Sequence, residues 1–104
     1  MKVKYIRVST LEQNTQRQQK NENDFAQTYI DKISGAISFF ERPQGKKLIN
    51  DIHSKNIEEV HVMSIDRIGR NILDILTVCE FFTNNNVNLY VENIGMYSLV
   101  DGKQ

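Results

Sequence analysis

The sequence predicts an α/β domain: a mainly parallel sheet of four to five strands flanked by helices. Three observations carry that expectation. Short runs rich in valine, isoleucine and tyrosine alternate with stretches patterned at helical spacing, in the order β-α-β-α-β-α-β. Parallel strands joined by crossover helices require that order. The first strand is partly alternating and partly continuous in its apolar residues, as befits a strand covered on both faces. Two strands end abruptly in polar and cationic residues, and the carboxyl ends of parallel strands are where such sheets gather their sites.

Each element has its own signal. Residues 2–8 form the first strand, through Val3, Tyr5, Ile6 and Val8. Ser9 or Thr10 then suits a helix N-cap, with Glu12 and Gln13 at capping-box spacing. The helix that follows, about 10–24, carries only Leu11 and Phe25 as large apolar residues and should lie on the surface. Residues 28–33 form a second strand, and 34–42 a loop without period, of the length that is often functional or mobile. Pro43 suits the first turn of a helix over 43–55, whose stripe is Leu48, Ile49 and Ile52.

Glu59 to Ile65 reads as the third strand. Asn71 to Thr83 is the strongest helix; Asp74, Thr77 and Glu80 fall on one narrow line and nearly everything else is apolar. So wide an arc points to a second partner, another subunit or a further segment, beyond one sheet face. Asn84-Asn85-Asn86 ends that helix, Val87 to Val91 forms the fourth strand, and the tail from Gly95 has little periodicity.

Bulk properties bound the function. With 104 residues the chain is read as one domain, 1–104, around one core. No apolar run approaches the roughly 20 residues of a membrane span, so no membrane partner is expected. Arg7 interrupts the only early apolar stretch, which speaks against a signal peptide. Cys79 stands alone in an apolar run, reads as a core residue, and suits a reducing cytoplasm. Net charge is zero, with 13 basic and 13 acidic residues, against a stand-alone, tight nucleic-acid binder. His53 and His61 lack ligand spacing, and no Walker A run or GxGxxG occurs, so no metal and no nucleotide cofactor is expected.

The chemistry lies in how the arginines are placed. Lysines fill ordinary surface positions, whereas Arg7, Arg67 and Arg70 fall at strand–helix boundaries and Arg42 in a loop. Ser9 alone is most simply a helix cap. Arg7 changes that reading, because its even spacing from Ser9 puts both side chains on one side of an extended strand. In Ser64-Ile65-Asp66-Arg67-Ile68-Gly69-Arg70-Asn71, Asp66 could cap a helix or pair with an arginine. Two arginines at (i, i+3) near a positive helix end are unfavourable unless an anion binds. Cations set against the local electrostatics point to phosphate. Phe39 and Phe40 suit either the core or a partner contact.

Tyr5-Ile6-Arg7-Val8-Ser9-Thr10, then Gln13, Gln18, Asp31-Lys32-Ile33-Ser34-Gly35, Arg42 and Asp66-Arg67-Ile68-Gly69-Arg70 together resemble the catalytic domain of the serine recombinases, the resolvases and DNA invertases. The resemblance spans nearly the whole chain, in order and spacing. It implies site-specific cutting and rejoining of double-stranded DNA through a covalent 5′-phosphoserine link, by homodimers that pair into a tetramer. It implies no metal or nucleotide. Ser9 would be the nucleophile, with Arg7, Arg67 and Arg70 around the scissile phosphate and Arg42 joining from its loop. Asp66 would order the arginines or handle protons. Gln13, Gln18 and Ser34 would support the site, and Tyr5 would back it. Arg42 and its loop, longer and more aromatic than in the small resolvases, are expected to be the most mobile part. The family's dimerisation helix and helix-turn-helix domain would follow about where this sequence stops, so the chain reads as a truncated catalytic domain. The competing reading is a non-catalytic α/β phosphate-binding or regulatory module. A receiver-like version of it would place acids, not arginines, at the strand ends.

Overall fold

A computed structural model describes residues 1–9 and 25–97. The helix expected over 10–24, with Gln13 and Gln18, lies outside the described residues.

Five strands form one sheet in the order β2-β1-β3-β4-β5. They are β1 (Lys2–Val8), β2 (Gln27–Lys32), β3 (Glu59–Val62), β4 (Asn88–Val91) and β5 (Met96–Tyr97). The first four run parallel, and β5 pairs antiparallel with β4. The mainly parallel α/β sheet predicted from the sequence is therefore present. The helices are α1 (Pro43–Ser54) and α2 (Ile72–Asn84), with short 3-10 turns at Phe39–Glu41 and Ile65–Ile68.

The strand β1 is buried from Val3 to Val8, Lys4 and Arg7 included, which explains why its apolar residues fall on both faces. Val3 and Tyr5 point into the main core with Tyr29, Val60, Val62 and Leu89. Leu48 and Ile52 of α1 and Val78 and Phe82 of α2 join the same cluster, so both described helices cover one sheet face. Lys4, one residue out of phase, falls on the other face. It is fully buried, and its ammonium bonds Glu92 at 3.2 Å. His61 lies beside it, bonded to Glu59 at 2.5 Å.

Strand three is shorter than expected. Beyond Val62 the chain leaves the sheet, and Ile65, read as its last strand residue, is exposed at the start of a 3-10 turn. Ile68, three residues on, is the buried anchor of that turn. The other bounds move by a residue or so. β5 arises because Gly95 adopts a left-handed φ of 64° and its N–H returns to the Val91 carbonyl at 2.8 Å, reversing the chain. Asn56 and Asn86, at φ 52° and 59°, follow the two helices in the conformation that ends them. Phe39 is a core residue, edge-on to Tyr5 and Phe82; Phe40 packs on Phe81 at the core's rim.

The wide apolar arc of α2 divides. Val78 and Phe82 are buried, with Asp74 one turn earlier on the same stripe. Ile72, Leu73 and Leu76 are left 77%, 74% and 60% exposed, an apolar surface this sheet does not use.

Gly45 shows how tightly α1 seats. A Cβ there would lie 2.3 Å from the Phe39 carbonyl oxygen and 3.4 Å from the Arg42 Cβ. The first obstacle is backbone and cannot swing aside. Gly45→Ala is expected to destabilise the domain by about 1–3 kcal/mol, read as a lower urea midpoint. A midpoint equal to the wild type's would refute this packing.

Candidate active site

The chain runs from β1 outwards to β2 on one side and to β3 on the other, so β1 and β3 flank the point where the strand order reverses. Sheets of this kind open a crevice at the carboxyl ends of such strands. Arg7 and Ser9 stand at the end of β1, and the Ile65–Ile68 turn follows β3.

Arg7 is 8% exposed, and its Nη1 donates to the Ile33 carbonyl at 3.0 Å. Gly35 lies against it: a Cβ at Gly35 would be 3.4 Å from the Arg7 Cζ. Half-buried Ser9 follows the strand directly. Arg67 reaches across from its turn, where buried Ile68 anchors the backbone, and its Nη1 donates to the Arg7 carbonyl at 3.2 Å. Its guanidinium therefore sits against the backbone two residues before Ser9.

Arg42, expected on a mobile loop, is instead completely enclosed. Its Nε donates to the Ile37 carbonyl at 2.9 Å, and its Nη1 to the Tyr5 hydroxyl at 3.2 Å and the Arg67 carbonyl at 2.5 Å. A guanidinium taken out of water needs acceptors, and the Nε and Nη1 of its planar fork find them here across three segments. Tyr5 passes the contact on, donating to Asp31 at 2.9 Å. Burial drives the Tyr5 hydroxyl far above the usual phenol range, with Arg42 opposing, so it remains a donor.

Two carboxylates organise these groups. Asp31 on β2 is 4% exposed and pairs in register with Arg7. It accepts from the Tyr5 hydroxyl and from the N–H groups of Gln44 and Gly45, each at 3.0 Å. No side chain of α1's own N-cap residue, Arg42, caps that helix, so Asp31 meets its free N–H groups and complements its dipole.

Asp74, in the first turn of α2, accepts from the Ser38 hydroxyl at 2.9 Å and from the N–H groups of Arg70 at 2.9 Å and Phe39 at 3.4 Å. Burial alone would raise its pKa. The N–H of Arg70, the Ser38 hydroxyl, the N–H of Phe39 and the Arg70 charge outweigh it, holding the carboxyl below the usual carboxylate range.

Tyr5, Arg7, Ser9, Arg42 and Arg67 are thus brought to one end of the sheet. Arg70 is joined to them through its backbone, and its side chain is exposed. Ser34 is exposed and accepts from the N–H of Ala36 at 3.0 Å, a local turn contact. Asp66 is exposed and accepts from the Ser64 hydroxyl. It neither caps a helix nor, among the described residues, pairs with an arginine. Asn71 is the N-cap of α2, its side chain accepting from the Asp74 N–H at 2.8 Å. Sequence reasoning did not single out Asp31 and Asp74 as site residues. The signal for Asp31 is its even spacing from Tyr29 on a strand facing Tyr5 and Arg7. For Asp74 it is a first-turn acid on an otherwise apolar helix.

Two buried atoms stand out. Arg42 Nη2 and Arg67 Nε find no hydrogen-bond acceptor among the described residues. Unsatisfied buried N–H groups cost about 1–3 kcal/mol each, more when charged, so such donors are commonly reserved for a ligand or for adjoining chain.

Fold and site together describe a mainly parallel α/β domain with a group of arginines at its strand ends. The chain belongs to the resolvase family: the family model "Resolvase, N terminal domain" matches residues 2–102. It is 34% identical over 100 residues to the transposon Tn552 DNA-invertase BinR of Staphylococcus aureus, covering 92% of this chain and 50% of that protein. It is 32% identical over 97 residues to the transposon Tn2501 resolvase of Escherichia coli, covering 88% of this chain and 49% of that one. The chain therefore spans about half the length of these relatives. Among solved structures it is similar to the N-terminal catalytic domain of TP901-1 integrase, with 30% identity and a TM-score of 0.79, covering 94% of this chain and 82% of that one. The C-terminal catalytic domain of ISC1926 TnpA, an IS607-like serine recombinase, shares the fold at 22% identity and a TM-score of 0.74, covering 88% of this chain and 69% of that one. No helix among the described residues is long and apolar enough to cross a membrane.

Proposed function

We propose that this chain is the catalytic domain of a site-specific DNA recombinase, with Ser9 as its nucleophile. The observation that supports the reading is the Arg67 guanidinium against the Arg7 backbone, two residues before Ser9, with its Nε still without an acceptor among the described residues. The family to which the chain belongs and the names of its relatives support it.

The Ser9 oxygen attacks the phosphorus of a DNA phosphodiester. A bond from serine to phosphorus forms, the bond to the 3′ oxygen breaks, and the proton released by serine is balanced by the one the 3′ oxygen takes up. The product is a 5′-phosphoserine and a free 3′ hydroxyl. One phosphodiester replaces another, so the link keeps the energy to reseal the strand by the reverse attack. The transition state gathers negative charge on the phosphoryl oxygens, and fixed cations offset it without reorganising. Arg7, Arg67 and Arg70 take that role. Arg42, enclosed beneath them, holds the Arg67 carbonyl in place. Tyr5 and Asp31 brace Arg42, while Gln13, Gln18 and Ser34 are assigned to the DNA phosphates by the resemblance. Asp66, exposed beside Arg67, is assigned to ordering the arginines or to proton handling on the same ground. The DNA is duplex, and the active form is a homodimer that pairs into a tetramer. Exposed Ile72, Leu73 and Leu76 offer apolar surface for that association.

The reading is tested by incubating the protein with supercoiled DNA carrying its site, quenching with detergent and digesting the adduct. A Ser9 peptide bearing a 5′ nucleotide is expected. An adduct through the 3′ phosphate, or through another residue, would refute it. DNA or phosphate binding without any adduct would favour the non-catalytic module.

A further inference from the structure

The cleavage reading leaves open what fixes the arginines relative to one another, since Arg42 and Arg70 come from separate segments. We infer that Asp74 is a positioning residue for the chemistry, tethering the 34–42 segment that leads into Arg42 to the turn that carries Arg67 and Arg70. The inference rests on the proposed function for its chemical consequence and on geometry alone for the tether.

An acid in the first turn of a helix is usually an exposed complement to the dipole. Asp74 differs: it is 9% exposed, and three donors from outside its helix converge on it. One oxygen takes the Ser38 hydroxyl. The other takes the N–H groups of Phe39 and Arg70, so one carboxylate grips both segments. Asn71 fixes the Asp74 backbone by accepting its N–H. Gly69 makes room for this approach, because a Cβ there would lie 2.8 Å from the Ile75 nitrogen and 3.1 Å from the Asp74 Oδ2. The second tie between the segments is the Arg42 bond to the Arg67 carbonyl. With both ties in place the turn has two fixed points, one at Arg67 and one at Arg70, and the arginine side chains spring from a set backbone. Without Asp74 the Arg70 end is free to pivot.

Asp74→Asn keeps the size and removes the charge and one acceptor, turning an amide N–H₂ towards donors that have no use for it. Three measurements on the protein decide the matter: amide hydrogen exchange at Phe39 and Arg70, DNA affinity, and the first-order rate of adduct formation at saturating DNA. The expected result is faster exchange at both amides, unchanged affinity, and a rate lower by about ten- to a hundredfold, the loss that misplacement on the order of 1 Å brings. Ser38→Ala should slow the rate in the same way, and the double variant should be no slower than Asp74→Asn. A residue serving stability alone would lower the melting temperature and leave the saturating rate untouched. Wild-type exchange at Phe39 and Arg70 in Asp74→Asn overturns the tether, whether or not the wild type cuts DNA. Altered exchange with a wild-type rate overturns the link to chemistry. Absence of any adduct in the wild type refutes the proposed function instead, and the exchange data still judge the tether.

Discussion

Ser9→Ala is expected to eliminate the covalent protein–DNA adduct while leaving the domain folded and its DNA affinity close to the wild type's. The loss should exceed about 10³-fold, because alanine lacks the attacking oxygen and arginines cannot form the ester. Affinity should survive because contacts to phosphate come from Arg7, Arg67 and Arg70, all retained. The same substitution separates the two readings of this serine. Were Ser9 only a helix cap, its replacement would cost about 1 kcal/mol of stability and leave any chemistry intact. Were it the nucleophile, stability would barely move and the adduct would vanish. The measurement is detergent-quenched adduct yield beside a urea melt, and an adduct that persists in Ser9→Ala removes Ser9 from its role.

How much of this was legible in the sequence depends on the kind of signal each residue leaves. The sheet was readable because period and apolar content are local: β1 is buried at six successive positions, and four of them are apolar or aromatic residues spread over both faces. The arginine pattern was readable because cations at strand ends conflict with local electrostatics. The end of β3 was not, since Ile65 is apolar and only the partner strand decides where pairing stops. The enclosure of Arg42 was hidden for a related reason. In sequence it follows a loop, and loops are ordinarily exposed. What buries it are acceptors 37 residues away at Tyr5 and 25 away at Arg67, a coincidence in space that no local pattern records. Asp31 and Asp74 carried only faint marks, because their importance lies in who donates to them, and all six of those donors are backbone N–H groups or hydroxyls.

Arg42 leads to the second large effect. Replacing it with alanine removes a fully buried donor to two carbonyls, Ile37 and Arg67, and to the buried Tyr5 hydroxyl. It also strips the positive charge from the neighbourhood of buried Asp31, which shares Tyr5 with it. Breaking one side of a buried charged network costs about 3–5 kcal/mol, a large part of the stability of a domain this size. Arg42→Ala should therefore lower the urea midpoint far more than Arg70→Ala, whose side chain is exposed. Arg42→Lys should recover only part of the loss, because a single ammonium cannot reproduce the guanidinium fork that reaches three acceptors. Under conditions where each variant remains folded, Arg42→Lys should still cut DNA slowly, since the Arg67 carbonyl loses its fixed donor and Arg67 its position. An Arg42→Ala midpoint within about 1 kcal/mol of the wild type would mean that water replaces the guanidinium, and the core beneath the site would then be open. That outcome would also return Arg42 to the exposed loop its sequence suggested, where it could meet the phosphate directly.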